Sequence, residues 1–245
     1  MRWLPHLLLL PLLCGCSFLR TATVPMPAVP HAAPAADANG LIVMLPGFGD
    51  GPAYYEQNGF VEMVRAANPR FDVVCADAHF GYYRDFTIVD RLHADVIGPV
   101  AERYEDVWLV GISMGGLGAA AYAIEHPQLV DGVILLAPYM GSRAVIEEIV
   151  DAGGLAKWQP PELASIDDDE TRKYYELWSW YRRFLTDADQ MPQLLLGHGE
   201  DDGLGTPNAL VGSVLPAGHY RVRPGGHKWT VWTPLFAEFA PFLAR

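Results

Sequence analysis

Ser113 sits in Gly111-Ile112-Ser113-Met114-Gly115, where the apolar run Val107 to Gly111 gives way to the alanine-rich segment Leu117 to Ala123. A serine presented at a sharp strand-to-helix turn has strained backbone angles, so the residues two before and two after it must be small enough to let strand and helix approach. Gly111 and Gly115 meet that requirement. A serine hydroxyl is a poor nucleophile at neutral pH; it needs a base within hydrogen-bond reach and a carboxylate to orient that base. Both types lie downstream. Leu194 to Asp202 is an apolar run that ends in the acids Glu200, Asp201 and Asp202, and Arg223-Pro224-Gly225-Gly226-His227 sets a histidine in a glycine-rich loop. The other candidate bases, His79, His93, His126, His198 and His219, do not fall in such a loop, although His79 and His198 are expected near the mouth of the site. A trio of this kind transfers acyl groups through a covalent serine intermediate.

The groups need a scaffold that brings three distant segments to one edge. Short apolar runs at Leu41 to Leu45, Phe71 to Ala76, Val107 to Gly111, Gly132 to Ala137, Gln193 to Leu196 and Tyr220 to Arg223 read as strands. Between them lie helical segments. One spans Asn58 to Ala67, and one follows Ser113 and stops at His126-Pro127. Another is centred near Asn208. Ile88, Leu92, Val96, Val100 and Tyr104 recur every four residues, which predicts one amphipathic helix kinked at Gly98-Pro99. A closing helix is expected with Thr233 as N-cap, Pro234 in the first turn, and Leu235, Phe239 and Phe242 inward. Such alternation is α/β, a mostly parallel sheet flanked by helices.

Tyr139 to Gln190 interrupts the alternation with helical material: Ser142 caps a helix through Val150, and a second runs from the acidic start Asp167 to Glu170 as far as Arg182-Arg183. The acids read as a solvated helix start, not a cation site. Tyr174, Trp178, Tyr181 and Phe184 recur at helical spacing and either line an apolar pocket or pack this insertion onto the body. A second aromatic loop, His79 to Tyr83, follows the second strand on the edge that carries Ser113.

The chain has 245 residues and a net charge of −12, which argues against a nucleic-acid partner. Three cysteines are too few for a disulfide framework, and Cys75, within an apolar run, reads as a small buried hydrophobe. Arg2 and the apolar run Trp3 to Leu13 suit a secretory signal over residues 1–15. Leu13-Cys14-Gly15-Cys16 resembles the lipobox of bacterial lipoproteins, which implies acylation of Cys16 and attachment to a membrane; Ser17 in the next position implies an outer-membrane lipoprotein of a Gram-negative cell envelope. Residues 16–40, rich in Ala and Pro, are expected to be an extended tether that holds the domain away from Cys16.

Residues 41–245 resemble an α/β hydrolase with a helical lid over about 139–190. Gly111 to Gly115 matches that family's nucleophile elbow, and Gly226-His227 its histidine loop. His198-Gly199-Glu200-Asp201-Asp202 is similar to its acid turn, which selects Asp202 over Asp201 and Glu200. Leu45-Pro46-Gly47-Phe48-Gly49-Asp50 resembles the family's oxyanion loop with Pro46 in place of the usual histidine, which implies the backbone N–H groups of Phe48 and Met114 as oxyanion donors. Gly225 to Trp232 is similar to the histidine loop of the esterase D branch, with Lys228 a departure from it. The resemblance implies a serine hydrolase that cleaves a small-molecule or lipid carboxylic ester with an apolar acyl group and uses neither metal nor organic cofactor. Its alternatives are an acyltransferase with the same triad or a non-catalytic envelope lipoprotein with this fold.

Overall fold

The computed structural model describes residues 20–244; the expected signal over 1–15 and Cys16 lie outside them. The strands are β1 Ala28–His31, β2 Gly40–Leu45, β3 Phe71–Ala76, β4 Asp106–Ile112, β5 Gly132–Leu136, β6 Gln193–Gly199 and β7 Tyr220–Arg223. The helices are α1 Ala53–Gln57, α2 Phe60–Ala67, α3 Phe80–Arg84, α4 Ile88–Arg91, α5 Met114–Glu125, α6 Arg143–Asp151, α7 Asp169–Arg182, α8 Gly205–Gly212 and α9 Trp229–Phe239. One seven-stranded sheet runs in the order β1-β3-β2-β4-β5-β6-β7, parallel throughout except for β1 against β3. This is the α/β hydrolase architecture.

A parallel sheet is covered on both faces, so its strands are apolar on both sides. Leu41, Val43 and Leu45 of β2 point into one core with α5, α4 and the insertion, and Ile42 and Met44 point into the other with α2 and α9. The strands' carboxyl ends therefore emerge together between two helical layers, where ligand sites form in such sheets.

Three segments differ from the sequence-based expectation. The expected tether is, from Arg20 onward, packed on the body. Arg20 pairs with Asp77, the Thr23 N–H donates to Tyr82 Oη at 3.2 Å, and the Met26 N–H donates to Asp95 Oδ2 at 2.8 Å. Ala28–His31 then pairs antiparallel with β3, with Pro30 opposite Val74. Without it β3 would present an open row of backbone donors and acceptors, and a strand at an edge can carry proline.

The helix expected from Ile88 to Tyr104 is broken. After α4, residues Leu92–Ile97 widen into a π turn whose end is the Gly98 N–H bonded to the His93 carbonyl at 2.9 Å, and Ala101–Arg103 form a short 3₁₀ turn. Pro99 has no N–H to continue an α-helical ladder. The four-residue spacing tracked burial, with Leu92 and Val96 in the core, but not backbone type.

The closing helix begins at Trp229, so Thr233 and Pro234 lie inside it. Val231, Trp232, Leu235, Phe236 and Phe239 are all buried, and packing of that stripe outweighs the cap and proline signals.

Within the insertion, α6 and α7 form as expected, with the Asp168 side chain accepting the Thr171 N–H at the start of α7. Glu148 of α6 accepts hydrogen bonds from Trp158 Nε1 and Tyr175 Oη, each at 2.7 Å, and so ties α6 to α7. Trp178, Tyr181 and Phe184 are buried in the core.

Candidate active site

Ser113 joins β4 to α5 at φ 52 and ψ −116, an unfavourable conformation for a side chain with a Cβ. The turn closes so tightly that a Cβ on Gly111 would stand 2.4 Å from the Gly115 carbonyl oxygen, and one on Gly115 would stand 2.0 Å from that of Leu45. Only glycine fits either place. Hydrogen bonds to the next strand hold the turn: the Ser113 N–H donates to Leu136 O at 3.0 Å, and the Tyr139 N–H donates to Ser113 O at 2.9 Å.

His227, from the loop between β7 and α9, places Nε2 2.9 Å from Ser113 Oγ. Its Nδ1 lies 2.9 and 3.1 Å from the two carboxylate oxygens of Asp202, after β6. A carboxylate only accepts, so Nδ1 carries the ring proton and Nε2 accepts the Ser113 hydroxyl. Burial works to raise the Asp202 carboxyl, but the hydrogen bonds from His227 and from the Leu204 N–H outweigh it and leave the group below its ordinary value. Of the three adjacent acids only Asp202 meets the histidine. Glu200 and Asp201 are exposed and contribute backbone N–H bonds to Arg223 and Gly225.

Phe48 lies in the loop after β2, which passes close to the serine: a Cβ on Gly47 would be 3.4 Å from Ser113 Cβ. Met114 begins α5, where N–H groups point out of the helix. The strand end ahead of Pro46 has a support that the sequence did not reveal. Tyr55, fully buried, donates its hydroxyl to the Leu45 carbonyl at 2.6 Å. Burial pushes that phenol well above its ordinary value, so it remains a donor. A second unforeseen brace joins the same loop to the histidine loop: Trp229 Nε1 donates to Asp50 Oδ2 at 2.9 Å. Burial raises the Asp50 carboxyl, against the opposing effects of Trp229 and His227. Neither contact has a motif or a spacing to announce it, because each joins residues of different elements that only the folded chain brings together.

The histidines expected near the mouth make hydrogen bonds within the scaffold. His79 caps α3 by accepting the Gly81 N–H at 3.1 Å, and buried His198 bonds Gly199 O and Tyr220 Oη, each at 2.7 Å. Burial lowers His79, and it pushes the Cys75 thiol up to about 12.

A cavity of about 570 Å³ opens beside Ser113 and follows one face of α5, past Met114, Leu117, Gly118, Ala121 and Ile124. At 1.5 Å rise per residue the face from Met114 to Ile124 is about 15 Å long. Phe80, Tyr83 and Val89 wall it on the body side, and Tyr139, Tyr174 and Leu177 on the insertion side. Of Tyr174, Trp178, Tyr181 and Phe184, which recur at helical spacing, Tyr174 alone lines it; the other three pack the insertion down.

A sequence profile described as "Alpha/beta hydrolase family" matches residues 42–244. No curated protein sequence matches the chain. Among solved structures, the S-formylglutathione hydrolase of Agrobacterium tumefaciens superposes with a TM-score of 0.58 at 14% identity, covering 89% of each chain. A ferulic acid esterase gives 0.57 at 19% identity over 85% of each chain. The monoacylglycerol lipase of Paleococcus ferrophilus gives 0.55 at 17% identity, covering 89% of this chain and 99% of the lipase. At these identities the likeness is one of fold.

Proposed function

Since the chain belongs to the α/β hydrolase family, we propose that it is a carboxylic ester hydrolase working through an acyl-enzyme on Ser113. The observation that carries this reading is the unbroken hydrogen-bond chain from Asp202 through His227 to Ser113 at the head of an apolar cavity. As Ser113 Oγ attacks the ester carbonyl, His227 Nε2 takes its proton, and buried Asp202 stabilises the imidazolium and keeps the ring oriented. The carbonyl oxygen becomes an oxyanion facing the Phe48 and Met114 N–H groups, donors fixed in place before the reaction begins. His227 then protonates the departing alkoxide. Water, deprotonated by the same nitrogen, releases the acid and restores Ser113.

Covalent labelling by a fluorophosphonate tests the reading. Wild-type protein labels and Ser113→Ala does not; an unlabelled wild type would sink the hydrolase assignment. Export and acylation at Cys16 are part of the same proposal, supported by the lipobox-like run before it. Mass spectrometry of the mature amino terminus decides that part, and an unmodified cysteine there removes it.

A further inference from the structure

Three residues that line the cavity also stand out from the surface: Phe48 is 43% exposed, Phe86 60% and Tyr139 39%. They come from separate connections, after β2, α3 and β5, so aromatic rings surround the mouth. Phe86 has its backbone in the left-handed region at φ 54, where a bulky L-residue is strained. Strain and exposure are both unfavourable for an aromatic residue in water, and the exposure is relieved where the ring meets an apolar phase.

The chain ahead of the body indicates that phase. The Arg20 carbonyl lies 2.4 Å from where a Cβ of Gly81 would stand. Gly81 belongs to α3, which also gives the cavity wall Phe80 and Tyr83. The described chain thus begins, at Arg20, beside the helix that supplies that wall, and Cys16 precedes it closely in sequence. Three residues separate Cys16 from Arg20, and the four Cα-to-Cα steps between them reach at most about 14 Å. A link this short keeps the mouth beside whatever surface Cys16 is attached to.

We propose that the aromatic rim docks on an electrically neutral lipid surface and that the ester enters the cavity from that surface. Aromatic rings are suited to the boundary between headgroups and acyl chains. The lining carboxylates Asp90, Glu125, Glu170 and Glu176 outnumber Arg84 and Lys173, and the chain carries a net charge of −12, so an anionic surface is repelled. The proposal rests on the hydrolase reading and adds to it the source of the substrate.

The test compares rates on one ester presented in phosphatidylcholine vesicles and dissolved as monomers, for the full chain. The ratio cancels damage to the cavity itself. Wild type gives a ratio above one; Phe86→Asp lowers it about tenfold or more, the order expected for losing one buried aromatic side chain, and Phe86→Leu restores most of it. Val222→Asp, exposed on β7 at the opposite sheet edge, leaves the ratio alone. A wild-type ratio of one or below overturns the proposal, as does an unchanged ratio in an active, fluorophosphonate-labelled Phe86→Asp enzyme. A wild type with neither turnover nor labelling overturns the hydrolase reading, and this one with it.

Discussion

Asp202 holds the Nδ1 proton of His227 with both oxygens, so replacing it by Asn, which also offers a donor, disturbs the tautomer while preserving volume. Asp202→Asn is expected to lower kcat roughly ten-thousand-fold, measured on a soluble short-chain ester. The support under the oxyanion loop is open to a milder test. Tyr55→Phe removes one buried hydrogen bond to Leu45, a loss of about 1 kcal/mol, readable as a shift in the urea midpoint together with a reduced kcat. Asp50 gives a pH-dependent outcome. Its carboxyl is raised in the folded state, so its ionisation becomes unfavourable to the fold as pH rises through the folded value. Asp50→Asn keeps an acceptor for Trp229 and is expected to raise Tm at neutral pH with no gain in acid; equal shifts at both pH values would contradict this. Asp202, lowered, has the opposite sign: its contribution is present at neutral pH and lost in acid below the ordinary carboxylate range. At this scale the sequence displayed the three residues that meet in the hydrogen-bond chain, because Ser113, Asp202 and His227 are each marked by glycine-rich turns. It concealed Tyr55 and Asp50, whose partners are ten and 179 residues away in the chain.

At the scale of elements, the strand-to-helix turn and the insertion make different demands. The turn tolerates no Cβ at Gly115, where the obstacle is the backbone of β2 and not a movable side chain. Gly115→Ala is expected to lose fluorophosphonate labelling and lower Tm by scanning calorimetry. The insertion is held partly by one carboxylate: Glu148→Ala leaves Trp158 Nε1 and Tyr175 Oη without their shared acceptor and is expected to lower stability by about 1–3 kcal/mol, measured by urea denaturation. The sheet strands were legible because runs such as Leu41 to Leu45 are apolar on both faces, as a doubly covered sheet requires. Helix boundaries were less so. Pro234 and Thr233 carry the local grammar of a helix start, but the buried stripe beginning at Val231 extends the helix back to Trp229. The run from Ile88 to Tyr104 shows the converse, since periodic burial held at Ile88, Leu92 and Val96 while the backbone changed type at Leu92 and again past Gly98-Pro99.

For the molecule as a whole, the sheet order places the carboxyl ends of β4, β6 and β7, and with them segments up to 114 residues apart, at one edge over a cavity about 15 Å long. On the proposed reaction that length measures the acyl group. Ala121→Trp is expected to fill the middle of the channel and reduce the ratio of kcat/KM for long over short acyl esters by about tenfold, measured across a graded ester series. The fold class was legible from alternation alone, but the cavity was not, since its walls come from six separate segments. The Ala- and Pro-rich stretch before Gly40 misled for a related reason: its composition suits a solvated spacer, and only the exposed edge of β3 makes part of it a strand. Pro30 in that strand cannot donate a hydrogen bond to a newcomer, and the strand is only four residues long. The segment that brings the chain into the body is also an end-stop, and it blunts that border of the sheet as a template for a neighbouring copy, a safeguard against self-aggregation when many copies are crowded side by side.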